Sequence, residues 1–352
     1  MTLADLTQSV GQWLRGEGLL KDVVISSRVR LARNLADTPF LPRCPPEQTR
    51  QLEQRLRDVI LAAGLAQQVF YIDISAASPL DRRLLVERHL MSKPHAQDRH
   101  PRGLAISANE ALAIMTIEED HLRIQVLSGG MDLKELTRQI QRVDELLEER
   151  LSFAFHQQYG YLTACPTNVG TGMRVSCMLH LPALKMTGEI ERALRAAREL
   201  RVAVRGLFGE DTQASGDFFQ VSNQLTLGKS ESQIVEEFSN RTVPLFVQYE
   251  RRAREVLLDK HRSSLEDKIF RAQAILRSAK LLHPEETMYL LSMIRLGINL
   301  AIIKDVELKT VNELFLLTQP AHLQKLLNKR MGSVKQAEAR AEYIRKRMGA
   351  IA

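Results

Sequence analysis

The sequence is poor in cysteine and has no long apolar run. Its three cysteines, Cys44, Cys165 and Cys177, form no C-x-x-C pair, which argues against a disulfide framework and leads us to expect no protein-held metal. No apolar stretch reaches the length of a membrane span, and residues 1–5 lack the charged-then-apolar pattern of a secretory leader. We therefore expect a cytoplasmic protein with reduced thiols and no membrane contact.

The common nucleotide-binding motifs are also missing. Gly228-Lys229-Ser230 resembles the end of a phosphate-binding loop, but Asn223 stands where that motif requires glycine. Neither H-R-D nor D-F-G occurs, so the usual protein-kinase motifs are absent. The net charge of +7 favours an anionic partner, and nucleic acid, nucleotide phosphates and acidic proteins all qualify.

The 352 residues, 44% hydrophobic and 26% charged, are typical of a soluble globular protein with two domains. Apolar periodicity predicts a short amphipathic lead-in over residues 1–20 and then alternating helices and strands. The predicted helices cover 47–65, 84–90, 132–158 and 190–200, and the predicted strands cover 23–34, 105–107, 111–117, 122–127, 202–205 and 221–227. From about Glu231 glycine nearly vanishes, and long periodic segments predict an all-helical region.

These elements predict an α+β fold, in which an antiparallel sheet flanked by helices is followed by an all-helical C-terminal domain. We place the lead-in at residues 1–20, the sheet domain at 21–243 and the helical domain at 244–352.

The stretch from Cys165 to Arg174 places a thiol, a proline, two glycines and an arginine within ten positions. A cysteine before proline lies on extended backbone, and the glycines allow that backbone to approach a ligand closely. Arg174 offers a planar fork of donors that suits a phosphate. A glycine turn between two strands with a buried cysteine is the alternative, and this stretch alone leaves both readings open.

Arginines recur at predicted strands and glycine turns. Because side chains alternate between the two faces of a strand, Arg28 and Arg30 lie on the same face, where they repel each other unless an anion lies between them. The alternative is that both arginines are solvated on an edge strand. The acidic segment 118–121, at the tip of a predicted hairpin, comes directly before Arg123, although it could be a simple polar turn. With Arg174 and Arg205, these arginines fit a polyphosphate, because γ-phosphoryl transfer is catalysed mainly by positioning and charge neutralisation.

Four segments resemble the phosphagen (guanidino) kinase superfamily, in the family's order and between about residues 20 and 235. They are 26–34, 118–124, 165–174 and 205–210. Within the superfamily the chain most resembles bacterial protein arginine kinases of the McsB type. Its helical C-terminal region resembles the extra domain of these kinases. The resemblance implies a guanidino kinase catalytic fold over residues 21–243.

The resemblance also implies ligand contacts. The five arginines would hold the phosphates of ATP, His89 would contact the nucleotide base, and Glu119, Glu210 and Cys165 would form the guanidinium site. The implied nucleotide-binding positions are Ser26, Ser27, Arg28, Val29, Arg30, His89, Arg123, Arg174, Val175, Ser176, Cys177, Met178, Arg205, Gly206, Leu207, Phe208, Gly209 and Glu210.

The chemistry of a guanidinium explains such a site. Its pKa is above about 12 and it has no free lone pair, so it must be oriented and must lose a proton as its nitrogen attacks phosphorus. Two carboxylates can grip the fork and take that proton, while Cys165 as a thiolate would orient the substrate electrostatically. Mg²⁺ would be held mainly by the nucleotide phosphates and water.

Two departures from the family pattern stand out. Ile117 occupies the position before the two acids where asparagine is usual, outside the substrate-facing atoms. The C-terminal phosphoarginine pocket of these kinases usually reads R-D-x-x-R-A, whereas Gln336, Arg340 and Ala341 keep only its second half. Any allosteric response to phosphoarginine is therefore expected to be weak.

The resemblance implies an ATP-dependent kinase that phosphorylates arginine side chains of proteins, in regulated degradation or a stress response. Its implied partners are substrate proteins with exposed arginine, an activator protein, a Clp-type protease complex and a second copy of the chain, with no direct nucleic-acid binding. A kinase for a free guanidino metabolite is disfavoured, because those enzymes carry about a hundred residues before the segment that begins here at Ser26. A non-catalytic adaptor is the third alternative, against which the retained arginines, acids and thiol argue.

Overall fold

The computed structural model describes residues 5–7, 10–97, 100–206 and 215–349. Its strands are β1 (Val24–Arg33), β2 (Val69–Asp73), β3 (Gly103–Ser107), β4 (Leu112–Thr116), β5 (Leu122–Gly129), β6 (Phe155–His156), β7 (Gly160–Tyr161), β8 (Met173–His180), β9 (Val202–Gly206) and β10 (Phe218–Asn223). Eight of them form one antiparallel sheet in the order β2-β3-β4-β5-β1-β8-β10-β9, and β6 pairs with β7. The predicted antiparallel sheet is confirmed.

Helices cover both faces of this sheet and make up the C-terminal third. They are α1 (Pro46–Ala62), α2 (Pro79–Glu87), α3 (Lys93–Gln97), α4 (Leu133–Glu148), α5 (Pro182–Met186), α6 (Ile190–Glu199), α7 (Glu231–Glu237), α8 (Val243–Lys260), α9 (Arg262–Ser278), α10 (Pro284–Asn299), α11 (Leu308–Leu317), α12 (Pro320–Leu326) and α13 (Ser333–Met348). Every helix in these described ranges is too short or too polar to cross a bilayer.

One face of the sheet packs against α1 and α4. Val29 and Leu31 of β1 lie in a core cluster with Leu56 of α1 and Ile140 of α4. Because successive strand side chains point to opposite faces, the even-numbered residues of β1, Arg28 among them, lie on the other face.

That other face is covered at two places by apolar clusters. On the β2 side, Leu104 and Met115 pack beneath Leu85 of α2. On the other side, Met178 and Phe218 pack together with the C-terminal helices α10 and α11. Arg28 and Arg30 of β1 and Arg123 of β5 lie on this face, on strands between the two clusters.

A buried polar network also ties α10 to the sheet. Arg295 of α10 donates to the carbonyl oxygens of Lys21 and Asp22 and contacts Nδ1 of His180 at 2.9 Å. His180 Nε2 lies 2.8 Å from Ser292 Oγ, which in turn donates to Asp217 at 2.7 Å. Burial lowers the pKa of Arg295 to about 9, yet its hydrogen bonds leave it well partnered.

Three predicted elements differ from the structure. The helix predicted over 132–158 ends at Glu148, because the chain then leaves to pair Phe153 with Leu35 and Phe155 with Tyr161. The predicted lead-in contains short 3₁₀ turns at Asp5–Thr7 and Gln12–Leu14 rather than one helix, and its Leu3 lies outside the described residues.

The strand predicted over 221–227 starts at Phe218 and ends at Asn223. The side chain of Asn223 accepts from Val175 N at 2.8 Å and donates to the carbonyl of Met173. These bonds take the place of further ladder pairing, so the chain leaves the sheet there.

The helical run crosses the boundary predicted at residues 243 and 244. A π-helical turn at Phe238–Thr242 joins α7 to α8, and Phe246 and Val247 of α8 lie in the same core cluster as the sheet. The domain division therefore stays a prediction.

Candidate functional site

Five arginines converge on one face of the sheet. Arg30 lies directly opposite Arg174 of β8, and Arg28 lies opposite Ser176, whose hydroxyl accepts from Arg28 Nε at 3.4 Å. In β5, Arg123 is opposite Ala32, two positions along β1 from Arg30. The fifth member, Arg205 of β9, reaches this face across β10, since it pairs with Gln220 and Gln220 pairs with Met178.

Arg28 and Arg30 lie under the repulsion of the other arginines in the cluster. Burial lowers the pKa of Arg28 to about 9, with further contributions from Arg123, Arg174 and Arg205. Burial and the neighbouring arginines also hold the pKa of Arg30 well below its usual range, and the buried Nε of Arg30 has no hydrogen-bond partner in the described structure. A polyanion placed here would relieve the repulsion and supply the missing acceptor.

One member of the cluster is paired with a carboxylate that the sequence analysis did not single out. Arg123 Nη1 donates to both oxygens of Glu118, at 3.1 and 3.0 Å, and Ser92 Oγ donates to Glu118 at 2.6 Å. Although burial alone would raise it, the charge of Arg123 and these hydrogen bonds lower the pKa of Glu118 to about 2. Glu118 therefore holds Arg123 in place. The two residues are five positions apart on either side of a turn, a spacing that by itself only weakly predicts an ion pair.

Glu119 and Cys165, two of the three predicted catalytic side chains, are brought together. Glu119 is exposed as a whole residue, although its carboxyl group is partly desolvated, and the carboxylate lies close enough to the Cys165 thiol for the thiol to favour the ionised form. Burial, Asp120 and Glu118 raise the pKa of Glu119, while Arg123 and the thiol oppose this. Cys165 Sγ also lies 3.0 Å from Thr167 Oγ1. The third predicted group, Glu210, lies outside the described residues, as do Leu207, Phe208 and Gly209.

The buried Asp120 fixes the positions of Glu119 and Cys165 relative to each other. Its Oδ1 accepts from Asn34 Nδ2 at 2.6 Å and from Ala164 N at 2.7 Å. Asn34 also accepts from His121 N. The turn that carries Glu119 is thereby bonded to the segment that leads into Cys165. Sequence reasoning missed Asp120 and Asn34, although both stand inside the motifs that it quoted.

The two glycines of the Cys165 stretch serve the protein's own packing, and a close approach of their backbone to a ligand stays a prediction. A Cβ at Gly170 (φ 112°) would lie 2.4 Å from the carbonyl oxygen of Thr226. A Cβ at Gly172 (φ 64°) would meet Arg33 Nη1 at 2.6 Å and the carbonyl oxygen of Ala32 at 2.7 Å. Both therefore allow the loop to lie against neighbouring strands.

Several predicted nucleotide-binding residues point away from the arginines. The side chains of Val29, Val175 and Cys177 are buried in the cluster beneath α1 and α4, and burial raises the pKa of Cys177 to about 12. Ser27 Oγ donates to the carbonyl oxygen of Gly130 at 2.7 Å. These four side chains cannot contact a ligand on the arginine face.

The remaining predicted positions keep to the arginine side or its margin. Ser26, Ser176 and Met178 lie on the same face as Arg28 and are nearly buried, and Gly206 is the last residue of β9.

His89 lies next to the cluster in an unusual backbone conformation. Its φ is 57°, and its ring packs edge-on against Trp13 with 5.1 Å between centroids. Its carbonyl oxygen accepts from Gln125 Nε2 at 2.9 Å. Burial and the charge of Arg28 lower the pKa of His89 to about 3, so the ring is neutral. A neutral aromatic ring beside arginines suits stacking with a nucleotide base.

Two of the three predicted allosteric residues, Arg340 and Ala341, are buried, and Gln336 is half-buried. Arg340 is 1% exposed, and it donates to the carbonyl oxygens of Thr318 and Leu282 at 2.8 and 2.9 Å. Ala341 is fully buried, and Gln336 donates to the carbonyl oxygen of Met331. Arg340 thus joins the ends of neighbouring helices, and an allosteric role for these three residues stays a prediction.

Family comparisons divide the chain between two known domains. Residues 51–253 match the model of the ATP:guanido phosphotransferase C-terminal catalytic domain, and residues 262–352 match that of the protein-arginine kinase McsB C-terminal domain. Among curated relatives, a protein-arginine kinase of Symbiobacterium thermophilum is 42% identical over 98% of both chains. That of Bacillus subtilis is 40% identical over 97% of this chain and 94% of its own.

Solved structures share the fold. Lombricine kinase is 24% identical, with a TM-score of 0.58 over 70% of each chain. The duplicated taurocyamine kinase of Schistosoma mansoni with bound transition state analog components is 24% identical, with a TM-score of 0.59 over 65% of this chain and 33% of its own. The guanidino kinase fold expected for the sheet region is thus confirmed.

Proposed function

Because the chain belongs to the ATP:guanido phosphotransferase family and to the protein-arginine kinases within it, we infer that it transfers the γ-phosphoryl group of ATP to arginine side chains of proteins. The product is N-phosphoarginine in the substrate protein. The observation that carries this function is the cluster of five arginines on one face of the sheet, with Arg28 and Arg30 under the repulsion of their neighbours, beside the adjacent side chains of Glu119 and Cys165.

The arginines provide the nucleotide half of the proposed site. Arg28, Arg30, Arg123, Arg174 and Arg205 would bind the phosphates, and His89 would contact the base. The described residues contain no group of three or more His, Cys, Asp or Glu side chains that could hold a metal ion. Mg²⁺ would therefore enter with the nucleotide as part of the substrate, held by phosphate oxygens and water.

The acids provide the acceptor half. Glu119, together with Glu210, would grip the guanidinium fork and accept the proton that the attacking nitrogen loses. The thiol of Cys165, close to Glu119, would orient the cation without forming a covalent intermediate. Asp120 would keep the carboxylate and the thiol in register.

A protein acceptor is favoured over a free guanidino metabolite. The full-length relatives are named protein-arginine kinases, whereas the metabolite kinases share the fold at 24% identity or less. Retention of the clustered arginines and of the Glu119 and Cys165 pair also argues against a non-catalytic adaptor.

The wider setting follows from the family. We propose that the protein works in the cytoplasm as a homodimer and acts on proteins with exposed arginine. We further propose that it meets an activator protein and a Clp-type protease complex during a stress response.

Incubation with ATP, Mg²⁺ and either a basic protein or free arginine tests this function. We expect acid-labile label on the protein and little on free arginine. Glu119→Gln and Glu210→Gln should each lower turnover by about two orders of magnitude, as is typical when a general base is lost. Glu47→Gln, at an exposed position in the first turn of α1, is the matched control. Label on free arginine alone would contradict a protein acceptor.

A further inference from the structure

The two residues before His89 are bonded to the C-terminal helix α12. Glu87 accepts from the backbone N–H groups of Ala321 and His322 at 3.0 Å each, and from His322 Nδ1 at 3.1 Å. All three residues are nearly or fully buried. A carboxylate in such a position caps the start of α12. These bonds, together with the ion pair from Arg83 at 3.3 Å, offset the cost of its desolvation.

Arg88 completes the connection on the other side of the same ring. It is fully buried, donates through Nε to Glu110 at 2.8 Å, and lies with Nη1 3.0 Å from His322 Nε2. Since a guanidinium can only donate, His322 Nε2 must accept and Nδ1 must carry the proton toward Glu87. The His322 ring is therefore fixed between two consecutive residues of the α2 end.

The C-terminal helices also reach His89 indirectly, through Trp13 of the N-terminal 3₁₀ turn. The His89 ring packs edge-on against Trp13, and Trp13 belongs to the core cluster formed by α10, α11 and α13. On its other side the His89 carbonyl is held by Gln125 of β5, which pairs with Arg30 of β1. A left-handed backbone at a non-glycine residue persists only where its surroundings determine it. Here they are Trp13, which packs with the C-terminal helices, and Gln125 of the sheet.

From these contacts we propose that His322 is a positioning residue. Through Glu87 and Arg88 it holds the backbone before His89, so that the His89 ring is oriented to contact the nucleotide base. This rests on the proposed function, in which His89 contacts the base. The C-terminal helices would then be part of the nucleotide site and not only a region for protein contacts.

His322→Leu tests the proposal, because it removes both ring nitrogens while Glu87 keeps the N–H groups of α12 and Arg88 keeps Glu110. We expect the Kd of the full-length protein for ATP to rise about tenfold, the size typical of losing one charge-assisted hydrogen bond. The preference for ATP over GTP should narrow, because the base contact and not the phosphate contacts is disturbed. Turnover at saturating ATP should change by less than about twofold.

Two further variants separate positioning from general loosening. His322→Gln retains a donor and an acceptor and should recover most of the ATP preference. Lys325→Gln removes the bridge from α12 to Asp81 of α2 and should leave Kd and base preference unchanged. If His322→Leu does not fold, Glu87→Gln, which removes the charge and one of the two acceptor oxygens, should shift the same two quantities in the same direction.

The outcomes are distinguishable. Wild-type protein that binds no ATP would overturn the proposed function and this inference with it. Wild-type protein that binds ATP, with His322→Leu equal to it in Kd and base preference, would overturn the inference alone. An equal effect of Lys325→Gln would show that the contact between α2 and α12 matters only for stability.

Discussion

Ile117 has a left-handed backbone, with φ 58°, that β-branched residues rarely adopt. It occupies the position where the family pattern has asparagine, which tolerates this conformation better. The strain costs about 1–2 kcal/mol. Its side chain is nearly buried in the core beneath α1 and α4, and that burial offsets about the same amount. The departure from the family is thus outside the substrate site, as expected, and has a structural consequence.

Cys165 should differ from the other two thiols in its response to ligands. Cys177 is buried and the pKa of its thiol is raised to about 12, whereas Cys44 and Cys165 are both partly exposed. We expect alkylation of Cys44 and Cys165, with ATP and a substrate protein protecting Cys165 alone. Cys165→Ser should lower turnover without abolishing it. Mass spectrometry of the labelled peptides provides the measurement, and equal protection of Cys44 and Cys165 would remove Cys165 from the site.

Glu119 should set the acid limb of the pH profile. Because its pKa is raised by burial, Asp120 and Glu118, it gains its proton at a higher pH than an ordinary glutamate. The ionised form is needed to hold a cation, so kcat/KM should fall as the pH drops through this raised pKa. A bound guanidinium favours the carboxylate, and the limb for kcat should therefore lie at lower pH than the limb for kcat/KM.

Glu118→Gln provides a test of this assignment. Loss of the neighbouring negative charge, and of its pairing with Arg123, should move the kcat/KM limb to lower pH. A limb that stays in place would mean that a group other than Glu119 titrates.

The hairpin turn between β4 and β5 and the segment before Cys165 act as one unit through Asp120. Asp120→Ala would leave the buried amide of Asn34 and the N–H of Ala164 without their shared acceptor. We expect stability to fall by about 1–3 kcal/mol. Turnover should fall about 10- to 100-fold, because Glu119 and Cys165 lose their alignment. Asp37→Ala, which removes an exposed bridge to Arg55, is the control, and equal turnover of the two variants would contradict the role of Asp120.

The sheet and the C-terminal helices share a core, so they should unfold together. Phe315 of α11 is 6% exposed and packs edge-on against Phe218 of β10, with 4.7 Å between centroids. Phe315→Ala should lower the free energy of unfolding by about 3–5 kcal/mol. Urea denaturation followed by circular dichroism should show one transition shifted to lower urea.

The matched control for the shared core is another phenylalanine of the helical region. Phe270 of α9 is 50% exposed, and Phe270→Ala should cost far less. Two separate transitions, with only one of them shifted by Phe315→Ala, would show that the two regions unfold independently.

The sequence alone determined features that repeat locally. Alternation in β1 was sufficient to place Arg28 and Arg30 on one face and Val29 and Leu31 on the other, because the side-chain period of a strand is two. The spacing of apolar residues predicted α1, α4 and α6, although it placed the end of α4 about ten residues too late in the sequence. The family motifs then identified the arginine cluster and the pairing of Glu119 with Cys165.

Tertiary structure decided the contacts between residues that are far apart in the chain or hidden within a motif. Asn34 meets Asp120 across 86 residues, and Glu87 meets His322 across 235. The hydrophobic periodicity of the sequence predicts neither contact, because both depend on the order of the strands in the sheet and on how the helices pack against it. Gly170 and Gly172 show the same limit, because whether a glycine faces a ligand or a neighbouring strand depends on what the fold places beside it.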